Sequence, residues 1–202
     1  MLRLALAREA ARLMIEHGLP DYGLAKRKAA ARLGVTEHAV LPKNTEIEEA
    51  LAEHQRLFVP EAHASNLLEM RRAALSAMRL LADFEPRLVG PLLSGTATEH
   101  SEITLHLFVD TPESVSVQLL DRGIPHEFAE RRLKVQRDEF AAFPAVRFTA
   151  GPHEVDATIF PLDGIRQAPL GPVDGRPMRR ATTHEVEGLL AAEAWTKGDA
   201  PL

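Results

Sequence analysis

The 202-residue chain contains no cysteine. Disulfides, thiolate nucleophiles and cysteine-ligated zinc are excluded by that absence alone. No apolar run approaches the ~20 residues that a membrane span needs. The first residues, MLRLALAREAARLMIEHG, are broken by Arg3, Arg8, Glu9 and Arg12, so a secretory leader is not expected and a cytoplasmic location is. Positive charge is not in excess: the formal net charge is −5, which argues against a protein built chiefly to coat nucleic acid. No G-x-x-x-x-G-K phosphate loop is present, so nucleotide chemistry of that type has no support. Ser94 lacks the G-x-S-x-G setting of a nucleophile elbow. The nine histidines (His17, His38, His54, His63, His100, His106, His126, His153 and His184) never show the H-E-x-x-H zinc spacing. Internal repeats and low-complexity tracts are missing too.

What is present is an ordinary globular composition, 45% apolar and 26% charged. At this length it suffices for one sizeable core, or for one domain with a helical extension. Residues 1 to about 83 carry helical periodicity. Leu6, Ala10, Leu13, Met14 and His17 share a stripe that Gly18-Leu19-Pro20 stops. A second helix is expected from Tyr22 to Leu33, ending at Gly34. Asn44 or Thr45 caps a third, with Ile47, Ala50, Leu51, His54 and Phe58 on its apolar stripe. After Pro60, a long helix opens at Asn66 with Leu67, Ala74, Leu75, Met78 and Leu81 inward. The helical half is expected to pack through Leu13, Ile47, Leu51, Phe58, Leu75 and Met78. The run AKRKAAARLGV, Ala25 to Val35, looks like the start of a helix-turn-helix. The residues after it, Thr36 to Pro42, give way to the acidic Glu46, Glu48, Glu49 and Glu53, which phosphate would repel. A DNA-associated regulator using residues 22–58 is therefore the weaker alternative.

From residue 87 the period changes to two. Strands are expected near 88–94, 102–109, 126–135, 145–150 and 153–161, with a helix near 112–122 that starts at Thr111-Pro112. Gly151-Pro152 reads as a hairpin turn. Residues 162–181 read as a long loop, Thr182 or Thr183 as the cap of a last helix, and the tail after Trp195 as loose. The class that follows is α+β: helices over 1–86, a small mixed sheet over 87–165, then an Arg/Gly/Pro-rich loop and a C-terminal helix over 166–202.

The chemistry concentrates in RLVGPLLSGTATEHSEITLHLFV, ending at Val109, and in EVDATIFP, ending at Pro161. Strand alternation places Glu102, Thr104 and His106 on one face and Ile103, Leu105 and Leu107 on the other. A later strand carries Asp156. The layout resembles the nucleotidyltransferase superfamily, in which a glycine-serine turn precedes a D-x-D or D-x-E strand and a third carboxylate follows on a later strand. The resemblance implies a phosphate cradle at Ser94, Gly95 and Thr96. It implies Glu102 and Asp156 as catalytic and metal-holding carboxylates for Mg²⁺, and His106 as a possible ligand or base one pleat along. This chain departs from the pattern at Thr104, which stands where a second carboxylate is expected and cannot hold a cation as one would. Mg²⁺ binding is therefore expected to be weak, and no other cofactor is expected.

Arg166, Arg176, Arg179 and Arg180, in PLDGIRQAPLGPVDGRPMRRA, are candidates for holding phosphate near the end of the Asp156 strand. Two readings follow. One is transfer of a nucleotidyl group from a nucleoside triphosphate with a reduced metal site. The other is an inactive binding or scaffold protein that keeps the fold. Expected partners are a nucleoside triphosphate or another small anion, not nucleic acid and not a membrane; the sequence leaves the oligomeric state open.

Overall fold

The computed structural model describes residues 1–36 and 40–196, so His38 and the tail beyond residue 196 lie outside the described residues. The class is α+β, with a helical N-terminal region, a five-stranded mixed sheet and a C-terminal helix. The chain forms two compact units. One comprises Met1–Leu67, Gly95–Ser101 and Pro172–Gly175. The other comprises Leu68–Ser94, Glu102–Gly171 and Arg176–Leu202. Among the described residues no helix is long and apolar enough to cross a membrane.

The first unit is built on α1 (Leu2–His17), α2 (Tyr22–Arg32) and α3 (Asn44–Phe58). Gly18 ends α1 in the left-handed conformation (φ 59°), which only glycine adopts without strain. Asp21 caps α2 by accepting from the Leu24 N–H. The core holds Leu6, Ala10, Leu13 and Met14 of α1, Ala25 and Ala29 of α2, and Ile47, Ala50 and Leu51 of α3. The alanines let the helices approach closely. The expected stripe on α3 is right as far as Leu51 and then shifts. Gln55 is buried, whereas Phe58 is 70% exposed. The Gln55 amide is used: it donates to the Thr96 and Ala97 carbonyls at 3.1 and 3.3 Å.

The long helix α4 (Pro60–Leu80) begins at Pro60, not at Asn66. Proline suits the first position of a helix, where its missing N–H costs nothing, so it opens this helix instead of interrupting one.

The second unit contains the sheet, in the order β1 (Arg87–Val89), β2 (Ile103–Phe108), β5 (His153–Phe160), β4 (Glu139–Ala150) and β3 (His126–Gln136). Only the β2–β5 pair is parallel. These are the most buried strands, as expected where both faces are covered. The crossover between them includes α6 (Glu113–Asp121). Leu88, Ile103, Leu105, Leu107, Val155, Ala157 and Ile159 are essentially buried, together with Met70, Ala74, Met78 and Leu81 of the α4 region.

Two expectations about the sheet are corrected. The first strand is short, and 91–94 is helical (α5, Pro91–Ser94). Gly90, at φ 73°, makes the turn between them. The β3–β4 hairpin is longer than its apolar pattern suggests, because β4 starts at Glu139. Pro144 reads as a strand boundary, yet at that point β4 pairs with β3 alone, since its pairing with β5 starts at Ala145. A proline on such a one-sided stretch forfeits no ladder bond to a second neighbour.

Residues 162–181 are more than a loop. A 3₁₀ turn (Leu162–Arg166) is followed by Leu170, which bridges Lys134 on the outer side of β3. Ala181 then bridges Leu88 on β1. The segment thus touches both edge strands of the sheet. It leads into α7 (Thr183–Thr196). A reciprocal cap opens this helix. Glu185 accepts from the Thr182 N–H at 2.7 Å, and the Glu185 N–H donates to the Thr182 hydroxyl at 3.2 Å.

Leu51→Ala should lower unfolding free energy by about 2–5 kcal/mol, the range for emptying a buried leucine site. Phe58→Ala should stay within about 0.5 kcal/mol of wild type, as exposed substitutions do. Urea denaturation of both variants checks the assignment; a large loss at Phe58 would contradict it.

Candidate functional site: an arginine-filled carboxylate face

Residues in register across a sheet share a face. The parallel pair places Thr104 beside Asp156, and the antiparallel hairpin places Arg147 opposite Asp156. Val89 pairs with Thr104, and Glu127 with Arg147, so one row reads Val89, Thr104, Asp156, Arg147, Glu127. The next row on that face reads Arg87, His106, Thr158, Ala145. Glu102 precedes β2 at the other end. The phase expected for Thr104, His106 and Asp156 is the phase observed, while Glu102 lies just before the paired stretch of β2.

The two carboxylates do not stand free. Asp156 is 3% exposed and pairs through Oδ2 with the Arg131 guanidinium; Arg147 Nε lies 3.7 Å from the same oxygen. Arg147 Nη2 donates to Glu102 at 2.7 Å and to Glu154 at 3.1 Å. One guanidinium therefore spans three carboxylates, and a second closes on the most buried of them. Glu102, then Glu154 and Asp156, raise the Arg147 pKa and so hold it firmly charged.

Neither arginine was singled out in the sequence, although a signal for Arg147 was there. The two-residue turn at Gly151-Pro152 sets Ala150 opposite His153, and counting back three residues along each strand sets Arg147 opposite Asp156. Arg131 needs the β3–β4 register as well.

A divalent cation tests poorly against this set. Metal-binding oxygens must face a common point, and here that region holds two positive groups. Thr104, the partner of Asp156 in register, adds no charge. Among the described residues no group of three or more His, Asp or Glu side chains is arranged to hold a metal. The residues present do not fit Mg²⁺.

The structure separates the remaining candidates. Gly95 and Thr96 belong with the helical unit, where their polar groups are engaged. The Thr96 hydroxyl donates to Glu48 at 2.6 Å, and the Gly95 carbonyl lies 2.9 Å from His63 Nε2. Glu48 also accepts from the Tyr22 hydroxyl. Burial, followed by this bond and the Glu48 charge, raises the Tyr22 pKa. Ser94 ends α5, with its hydroxyl on the Pro91 carbonyl. The tight turn after β1 is at Gly90, where a Cβ would come within 3.9 Å of Thr104.

Arg166, Arg176 and Arg179 are exposed, while Arg180 reaches over the sheet face. Its Nε donates to His106 Nδ1 at 3.0 Å, and its guanidinium carbon lies 4.8 and 4.9 Å from the Phe108 and Phe160 ring centroids. His106 is 1% exposed and serves as an acceptor for Arg180. Burial, and secondarily the Arg180 charge, push its pKa down to about 3.

No family model matches the chain, and no curated protein sequence matches it significantly. Among solved structures it is similar to a cytoplasmic RNA terminal U-transferase, at 20% identity and a TM-score of 0.28, over 55% of this chain and 29% of that one. It is also similar to the Cid1 poly(U) polymerase with MgGTP bound, at 18% identity and a TM-score of 0.32, over 58% of this chain and 38% of that one. A Cid1 structure described for RNA terminal uridylyl transferase activity gives 18% and 0.32, over 58% and 37%. The chain spans about a third of the length of these proteins. Likeness this loose carries no residue correspondence. RNA figures in two of these descriptions, so the expectation against a nucleic-acid partner draws no support from them.

The low pKa of His106 has a consequence for acid stability. The folded state keeps this ring neutral well below the pKa near 6.5 that it has in the unfolded chain, so protons favour unfolding between those values. Its contribution is present above pH 6.5 and is lost as pH falls toward 3, at up to roughly 1.4 kcal/mol per pH unit. His106→Gln, which still offers an acceptor to Arg180, should flatten that part of the stability curve. Identical wild-type and variant profiles between pH 6.5 and 4 would contradict the buried neutral assignment.

Proposed function

We propose that this chain is a nucleotidyltransferase-like protein in which the metal-dependent transfer site has been replaced by an ion-pair network, leaving a binding or scaffold role. The observation that carries the reading is the occupation of Glu102 and Asp156 by Arg147 and Arg131. The mixed sheet and the shared face of Glu102, Thr104 and Asp156 support the nucleotidyltransferase-like description. The arginines and Thr104 favour the non-catalytic form of it. Nucleotidyl transfer needs cations that bridge the triphosphate and activate the attacking oxygen. In this face the positive charge is covalently part of the protein. It neutralises carboxylates but has no open coordination position for a phosphate oxygen or an attacking hydroxyl.

Two points follow for experiment. Wild-type protein incubated with Mg²⁺ or Mn²⁺ and each nucleoside triphosphate should give neither transfer nor calorimetric metal binding. Thr104→Asp alone should remain silent, because the resident guanidiniums still oppose a cation. Combining Thr104→Asp with Arg131→Ala and Arg147→Ala should create measurable Mn²⁺ binding, since three carboxylates then face one region without a counter-ion. Metal-dependent transfer by the wild type, or tight wild-type Mn²⁺ binding, would restore the catalytic reading.

A further inference from the structure

β3 is one edge of the sheet, and its outer side is covered only at one end. The Leu170 N–H donates to the Lys134 carbonyl there at 2.7 Å. In an antiparallel strand the backbone groups of alternate residues point to the same side. β3 pairs with β4 without a shift from His126 to Lys134, so His126, Phe128, Glu130 and Arg132 also direct their N–H and C=O groups outward. Among the described residues no backbone group of another segment meets that row. The Glu130 carbonyl receives only the neighbouring Arg131 side chain, at 3.3 Å. An uncovered row of this kind is a template for a further strand.

Three observations select a second copy of this chain as that strand. First, the open row runs from His126 to Arg132 and stops where Leu170 covers Lys134, so its midpoint is Ala129. Two copies related by a two-fold axis through Ala129 use the whole row: Phe128 faces Glu130 of the second copy, and His126 faces its Arg132. The outward backbone groups then fall on the hydrogen-bonded pairs, as an antiparallel ladder requires. Second, the charges match in this register. Glu127, which is exposed, stands opposite Arg131 of the second copy, once on each side of the axis. The Arg131 guanidinium already meets Asp156 but keeps about a third of its side chain exposed. Arg132 leans back over the Phe140 ring, at 5.0 Å, and leaves the edge clear. Shifting the pairing one way sets Glu130 opposite itself, which is unfavourable. Shifting it the other way sets Glu127 opposite Ala129 and shortens the ladder. Third, apolar side chains lie open beside the edge. Phe128 is 67% exposed, and so is much of Leu120 on α6, the helix whose Ser116 bonds His126. Covering such area favours association.

We propose that β3 pairs antiparallel with β3 of a second copy about Ala129, joining the two sheets across a two-fold symmetric dimer. The proposal goes beyond the reading of the carboxylate face and does not depend on it. In the dimer Arg131 links Asp156 of its own copy to Glu127 of the other, so the ion-pair network runs through the junction.

Sedimentation equilibrium across micromolar to submillimolar concentrations tests it, together with crosslinking. Wild type should dimerise reversibly. Glu130→Pro should be monomeric while melting close to wild type, because its lost N–H points away from β4. Glu127→Lys should weaken the dimer about tenfold, since two symmetric pairs turn repulsive. The register is read by cysteine, which the chain otherwise lacks. Ala129 meets its own copy in a non-hydrogen-bonded pair with Cα atoms about 4.5 Å apart, within disulfide reach. Ala129→Cys should therefore crosslink on mild oxidation, and Arg132→Cys, exposed on the same strand, should not. A wild type that stays monomeric throughout would overturn the proposal. So would a dimer indifferent to both Glu130→Pro and Glu127→Lys, or equal crosslinking at the two cysteine positions. If Glu130→Pro melts early, Glu127→Lys and the Ala129→Cys crosslink decide the matter.

Discussion

Asp156 is the point on which the functional face turns. It is almost wholly buried on a central strand, and a carboxylate there must be paired, protonated or metal-bound. This fold pairs it. Arg131 and Arg147 arrive from the two strands beyond β5, and Arg147 carries the network on to Glu102 and Glu154. The register of the whole hairpin serves that arrangement. Gly151, at φ 61°, closes the β4–β5 turn in two residues and so sets Arg147 against Asp156. A slip of one residue would turn every side chain of β4 to the opposite face and leave the carboxylate without its partner.

The rest of that face is polar but closed. Thr104 stands beside Asp156 under the Gly90 turn, and His106 lies under Arg180, which is seated on Phe108 and Phe160. The segment carrying Arg180 touches both edges of the sheet. Charge is thus arranged in two separate patches. Around Asp156, three carboxylates share two guanidiniums. Arg180 instead meets the charge of Arg87, which is itself paired with Glu85.

Much of this was legible in the sequence, for physical reasons that differ by element. Alternation in ITLHLF and HEVDATIF fixed the face of Thr104, His106 and Asp156, because strand phase follows directly from period two. Gly18 and Thr182 marked helix ends, because caps depend on local chemistry. What sequence pattern misplaced depended on partners far along the chain. Phe58 has helical phase but meets no core, and the polar Gln55 is buried because the Thr96 and Ala97 carbonyls need a donor. Pro60 reads as a break, yet it sits at the first position of a helix, where its missing N–H is harmless. The SGT run suggested a phosphate cradle, but Glu48 and His63 already engage it. Arg147 could have been found by counting back from the Gly151-Pro152 turn. Arg180 could not, since nothing local brings it to His106.

The central claim, that Asp156 is satisfied by protein guanidiniums and not reserved for a cation, is tested most directly by a thermodynamic cycle. Unfolding free energies would be measured in metal-free buffer for wild type, Asp156→Asn, the Arg131→Met/Arg147→Met pair, and the triple combination. The account predicts a favourable coupling of roughly 1 kcal/mol or more between the aspartate and the arginine pair, the range for residues sharing a salt-bridge network. Effects that simply add to within about 0.3 kcal/mol would contradict it, above all if added Mn²⁺ stabilised the wild type and not Asp156→Asn.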